Sequence, residues 1–185
     1  MQTLGLSDST PRSEGRLKSL FWPSIQTGSD VDYLGAQGYW VCTVIAVLSF
    51  VVSALSGHAI AGALVSMFYY LGGVGVRERS RYSATAVLVM YIADALVSRP
   101  GVITVFITSL LFSNLRATWI ATNWKADSEE SILLPRLSEP WSDRFADRLP
   151  MWLWPKVRIV YYVFSSCLLL MVGTGLILKA LHRTM

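Results

Sequence analysis

The sequence predicts an all-α, polytopic membrane protein, a bundle of five transmembrane helices with one amphipathic interfacial helix. Two observations carry that class. Hydrophobic residues make up 53% of the 185-residue chain and charged residues only 15%, where a soluble domain carries about 25% charged residues. That is too little charge to cover a globular surface. The charges also cluster: residues 35–76 and 159–178 contain no Asp, Glu, Lys or Arg. About 20 apolar residues suffice to cross a hydrocarbon core of ~30 Å.

Residues 1–38 mix Ser, Thr, Pro, Gly and charge without an apolar h-region. They read as a polar, flexible N-terminal tail and not as a secretory signal, so the first span is expected to act as an uncleaved anchor. The uncharged run 35–76 would be about 63 Å long as one straight helix, roughly twice the hydrocarbon thickness. It must turn, and "SALSGHA" from Ser53 to Ala59 is the cluster of small and polar residues near its middle. The expected helices are therefore 39–55 and 59–76. "RERSR" ends the second, and a third runs over 82–98. "SRPG" follows, where Pro100 lacks an amide hydrogen and biases Arg99 away from helix. A fourth helix covers 102–121, so 39–121 reads as two hairpins. A loop at 122–156 precedes the fifth helix, 157–178, within a final segment 157–185.

Lys and Arg in the short loops set the orientation. With the N-terminus inside, Arg12, Arg16, Lys18, Arg77, Arg79, Arg81, Lys125, Arg136, Arg144, Arg148, Lys156 and Arg158 are cytoplasmic, against Arg99, Lys179 and Arg183 outside. The expected location is the plasma (inner) membrane, multi-pass, with the short C-terminus outside.

The 122–156 loop holds the interfacial helix, expected over 139–149. Trp141, Phe145 and Leu149 fall at i, i+4 and i+8 on one stripe, opposite Asp143, Arg144, Asp147 and Arg148. Ser138 is a suitable N-cap and Pro150 ends the helix. Trp152 and Trp154 would then lie at headgroup depth as the chain enters the fifth span. On this topology all seven tryptophans sit near the cytoplasmic side, although aromatic belts normally occupy both interfaces. Two readings follow for Trp141, Phe145, Leu149, Trp152 and Trp154: an anchor in the lipid bilayer, or a docking surface for a partner protein.

Asp94 is the acidic group within a span, about one turn from the outer end of the third helix. It reads as a structural carboxylate within reach of Arg99, or as a polar pathway residue. Arg116 is expected to snorkel to the cytoplasmic headgroups or to cap a polar patch with Asn114. His58 and His182 with Asp94 lack a spacing that demands a metal, and Cys42 and Cys167 differ in depth. Gly72, Gly73 and Gly75, the series Ala59, Gly62, Ala63 and Ser66, and Gly173 with Gly175 are expected to permit close helix packing. There is no Gly-x-Ser-x-Gly, no His-Glu-x-x-His and no pair of carboxylates within the spans. No catalytic residue, cofactor, metal or nucleic-acid partner is expected. The expected role is an accessory or scaffold subunit presenting a Trp-rich cytoplasmic surface. The alternative is a small homo-oligomeric transporter or channel using Asp94.

Overall fold

The computed structural model describes residues 28–97, 101–123 and 153–184, and all regular structure among them is helical. The helices are α1 (Gly28–Leu55), α2 (Ala59–Arg77), α3 (Arg81–Val97), α4 (Val102–Asn123) and α5 (Leu153–Thr184). Four of them hold stretches long and apolar enough to cross a membrane: Leu34–Leu55, Ala59–Arg77, Val102–Ile120 and Leu153–His182. α3, at 17 residues, reaches only about 26 Å. It is the shortest helix and one of the two most central.

α1 to α4 form an up-down-up-down ring in which α1 touches α2 and α4, and α3 touches α2 and α4. α5 lies outside that ring in the groove between α2 and α3. Short, well-specified turns enforce the antiparallel order. At the end of α1 the amide of His58 donates to Ser53 O (2.8 Å) and that of Gly57 to Ala54 O (3.1 Å). This is a Schellman cap with Gly57 in the left-handed region at φ 79. α2 ends the same way, Ser80 N donating to Gly75 O and Arg79 N to Val76 O. There the left-handed position falls to Arg79 at φ 57, a conformation that disfavours a side chain. Ser80 then caps α3, its Oγ accepting from the Ser83 amide at 3.3 Å.

Two helices start earlier than the sequence suggests, because a buried packing stripe extends beyond the uncharged run in each. α1 begins at Gly28 and not at 39. Val31, Leu34, Gly38, Cys42 and Ile45 recur on one buried face, which carries the helix through "GSDVDYLGAQG" beyond the uncharged run. α5 likewise begins at Leu153, four residues early, since Trp154, Tyr161, Ser165 and Leu168 make one buried stripe. The α2, α3 and α4 boundaries fall within two residues of expectation.

The exterior is the apolar side. Val44, Val47, Leu48, Val51, Val52 and Leu55 are exposed on α1, and Val102, Ile103, Val105 and Phe106 on α4. Ser83, Ser113, Asn114, Thr118 and Ser165 are buried. Water would not tolerate that much contiguous outward hydrocarbon, whereas lipid removes the penalty and drives small and polar groups to helix contacts.

Close contacts concentrate on α2. A Cβ on Gly73 would stand 2.7 Å from Cys42 Cβ of α1, and one on Gly72 would stand 2.7 Å from the Tyr161 hydroxyl of α5. On Gly75 it would run into Ser83 of α3 and Trp154 of α5. The expected role of these three glycines therefore holds. Gly62 also packs, against Ser53 and Phe50, but its expected companions Ala59 and Ala63 are exposed. Gly173 and Gly175 face nothing within 4 Å, so among the described residues they mediate no packing. α5 has already left the bundle's close contacts at that level.

Candidate functional site

The Asp94 carboxylate is held from the neighbouring helix. Tyr69, on α2 and 1% exposed, donates its hydroxyl to Asp94 Oδ2 at 2.9 Å. The Tyr69 ring is fixed edge-on to Phe68 (5.3 Å between centroids), so the donor is preorganised. Asp94 is half-buried and opens onto a cleft of about 520 Å³ between the ends of α3 and α5, lined by Val97, Val172, Gly175, Leu176 and Lys179. The basic residue facing this cleft is thus Lys179. Arg99, the partner suggested by sequence, lies outside the described residues. A carboxylate and an ammonium lining one open cleft can bind a polar group or exchange a proton, and the Tyr69–Asp94 bond ties α2 to α3.

Tyr69→Phe would leave the half-buried carboxylate without this donor. We expect it to lower stability by about 1 kcal/mol, the scale of an interhelical hydrogen bond in a bilayer. Asp94→Asn keeps an acceptor and should change stability by less. The double variant should cost less than the sum of the two, since without the Tyr69 hydroxyl the change at Asp94 has no bond left to weaken. Reversible unfolding in mixed micelles reads all three, and strictly additive effects would show that the bond contributes nothing.

A second polar seam joins α3 to α5 at the other end. Tyr82 OH lies 2.6 Å from Ser166 Oγ, and Ser165 Oγ donates to Tyr82 OH at 3.0 Å. Ser80 Oγ is 3.0 Å from Tyr162 OH, and Ser83 Oγ donates to Ser80 Oγ at 3.2 Å. The rings of Tyr82 and Tyr162 stand 4.6 Å apart. None of these residues was singled out by sequence. The available signal was the i, i+4 spacing of Tyr161, Tyr162, Ser165 and Ser166, which puts four hydroxyls along one side of a helix otherwise made of hydrocarbon.

Trp154 corrects an expectation. The sequence reads it as an anchoring or docking indole turned to lipid or to a partner, whereas it is 8% exposed and packs at Gly75 and against Tyr161 (6.0 Å) and Tyr162 (6.2 Å). The absence of a Cβ at Gly75 makes the slot into which it fits. Trp141, Phe145, Leu149 and Trp152 lie outside the described residues, as does the expected helix 139–149. Trp40, Trp119 and Trp154 all lie in the half of the bundle that ends in Arg77, Arg79 and Arg81. Trp154 and Ser83 both border the Gly75 slot there, and Arg81 stacks over the Trp119 ring at 5.2 Å.

Arg116 lines an apolar groove of about 260 Å³ with Phe112, Leu115 and Trp119. It lies some 200° around α4 from Asn114, so the two do not form the polar patch suggested by sequence. Asn114 faces the α1–α2 contact instead, 2% exposed, where a Cβ on Gly38 would meet its Cγ at 2.9 Å. Among the described residues its carboxamide makes no hydrogen bond. His58 closes its own turn through Nδ1 and Ser56 O at 2.8 Å. Cys42 and Cys167 are both free thiols, the first buried and the second exposed. Among the described residues, no group of three His, Cys, Asp or Glu is arranged to hold a metal ion. Comparison with protein-family models, curated proteins and solved structures yields no match.

Proposed function

We propose that the protein is a non-catalytic, five-span accessory or scaffold subunit of the plasma (inner) membrane. Its rigid bundle would hold two cytoplasmic segments, 1–27 and 124–152, side by side for a partner protein. α3 would complete the crossing with residues beyond Val97, and the basic end of the bundle would face the cytoplasm under the charge bias of the loops.

One observation carries the reading. The starts of α1 and α5 and the end of α4 lie at the same end of the bundle, so both long polar segments leave from one face. That face also receives the ends of helices packed without room for a side chain at Gly38, Gly73 and Gly75, a construction suited to fixed presentation. In this proposal Trp141, Phe145, Leu149 and Trp152 would meet the partner, and Trp154 would brace the surface from within the bundle.

The second reading, a small homo-oligomeric transporter or channel, is favoured by the open cleft that Asp94 shares with Lys179. The glycine-packed interior argues against a path through one bundle, so a path would have to run between copies.

Purification in mild detergent separates the two. A scaffold should bring down a second polypeptide in stoichiometric amount and lose it when 130–150 is replaced by a Gly/Ser linker. A homo-oligomer alone, with proton flux in liposomes that Asp94→Asn abolishes, would favour the transporter.

A further inference from the structure

We propose that the cleft between the ends of α3 and α5 binds a zwitterionic phospholipid whose headgroup ends in a primary ammonium, phosphatidylethanolamine. Its ammonium would sit on Asp94, its phosphate on Lys179, and one acyl chain against Val97, Val172 and Leu176. The site rests on the membrane-embedded reading of the bundle and on neither reading of its role.

Two helical stripes build the cleft. Val172, Gly175, Leu176 and Lys179 fall at i, i+3, i+4 and i+7 on α5, facing Asp94 and Val97 at i and i+3 on α3. The cleft holds about 520 Å³, a volume in the range of small-molecule sites. A Cβ on Gly175 would meet nothing within 4 Å, so the middle of the cleft is open. Val97 is 53% and the nearby Leu178 67% exposed, so the opening is bordered by hydrocarbon.

Both charges lie at headgroup depth. Asp94 is three residues from the end of α3 at Val97, about 4.5 Å along the axis. Lys179 directly follows the uncharged run 159–178, and its stem can follow the apolar wall while its ammonium stays at the interface. No ion pair joins Asp94 to Lys179 across the cleft. A molecule carrying ammonium and phosphate side by side gives each of them a counter-charge. Tyr69 donates to Asp94 Oδ2 at 2.9 Å, which fixes the carboxylate and leaves Oδ1 as a second acceptor. A primary ammonium has three N–H donors for it, whereas the trimethylammonium of phosphatidylcholine has none.

Native mass spectrometry of the full chain in detergent, with equimolar phosphatidylethanolamine and phosphatidylcholine of identical acyl chains, tests the site. The expected result is preferential retention of one phosphatidylethanolamine. Asp94→Asn should reduce that preference about fivefold, the upper end of an exposed ion pair. Lys179→Gln should instead weaken both lipids alike, because both carry the phosphate. Gly175→Phe fills the cleft without changing charge and should also weaken both. Glu78→Gln removes a carboxylate at the opposite end of the bundle and should change neither. Free phosphoethanolamine should not displace the lipid.

Equal retention of the two lipids by the parent would overturn the proposal. So would the same loss of preference in Glu78→Gln, which would mark a diffuse charge effect. Displacement by phosphoethanolamine would make the ligand a soluble zwitterion and overturn the lipid site as well. Should Asp94→Asn fail to fold, the parent with mono- and dimethylated ethanolamine headgroups gives the readout from the lipid side. Retention should fall with each N–H removed, and constant retention across that series would contradict the proposal.

Discussion

Gly75→Leu is expected to destabilise the native bundle strongly, while Gly173→Leu leaves its stability unchanged. Gly75 sits where α2 crosses both α3 and α5, and any Cβ there collides with Ser83 and with the Trp154 ring. Neither neighbour can yield. Ser83 is fully buried and bonded to Ser80, and Trp154 is wedged against Tyr161 and Tyr162. Overpacking a tight core costs 1–3 kcal/mol and occasionally more; with two helices pushed apart we expect about 3 kcal/mol. That corresponds to a fall of about 10 °C in melting temperature for a chain of this size, enough to drive much of the protein into aggregates on size exclusion. At Gly173 a side chain meets nothing within 4 Å, so its leucine variant should stay within about 0.5 kcal/mol of the parent. Ser83→Gly should partly rescue Gly75→Ala, because it empties one side of the slot. Equal melting temperatures for Gly75→Leu and Gly173→Leu would show that the packing at Gly75 is not what holds α5 to the bundle.

The contrast between these two glycines marks how far the sequence could be read. Composition and the spacing of charges place α2, α3 and α4 within two residues of their observed ends, since those ends coincide with "SALSGHA", "RERSR" and "SRPG". They also flag Gly72, Gly73 and Gly75 as packing residues. They do not separate them from Gly173 and Gly175, which have the same local look. Which glycine meets a neighbour depends on where α5 leaves the groove between α2 and α3, a property of the whole bundle.

The same limit hid the site. Asp94 could be found from its isolation in an apolar run, but not Tyr69, 25 residues away, because their meeting depends on the mutual rotation of α2 and α3. Lys179 reads as part of a tail because the uncharged run ends at 178; α5 continues to Thr184 and carries it to the cleft beside Asp94. Trp154 misled for a related reason. Tryptophan beside proline at the edge of an apolar run is the signature of an interfacial anchor, and only the slot at Gly75 turns it inward.

The largest effect of all should come from cysteine accessibility in intact cells, since each site is either open or closed to an impermeant maleimide. In a background with Cys42→Ala and Cys167→Ala, the exposed α1–α2 turn is probed with Ser56→Cys, the N-terminal segment with Ser13→Cys and the 124–152 segment with Ser142→Cys. Five crossings put residues 13 and 142 on one side and residue 56 on the other. α3 decides the matter: at about 26 Å it is the helix whose crossing is least supported by length, and a re-entrant α3 would reverse the side of everything after it. The expected result is labelling of Ser56→Cys in intact cells, with Ser13→Cys and Ser142→Cys reacting only after the membrane is permeabilised. Labelling of Ser142→Cys together with Ser56→Cys in intact cells would contradict the shared cytoplasmic face, and with it the scaffold built on that face.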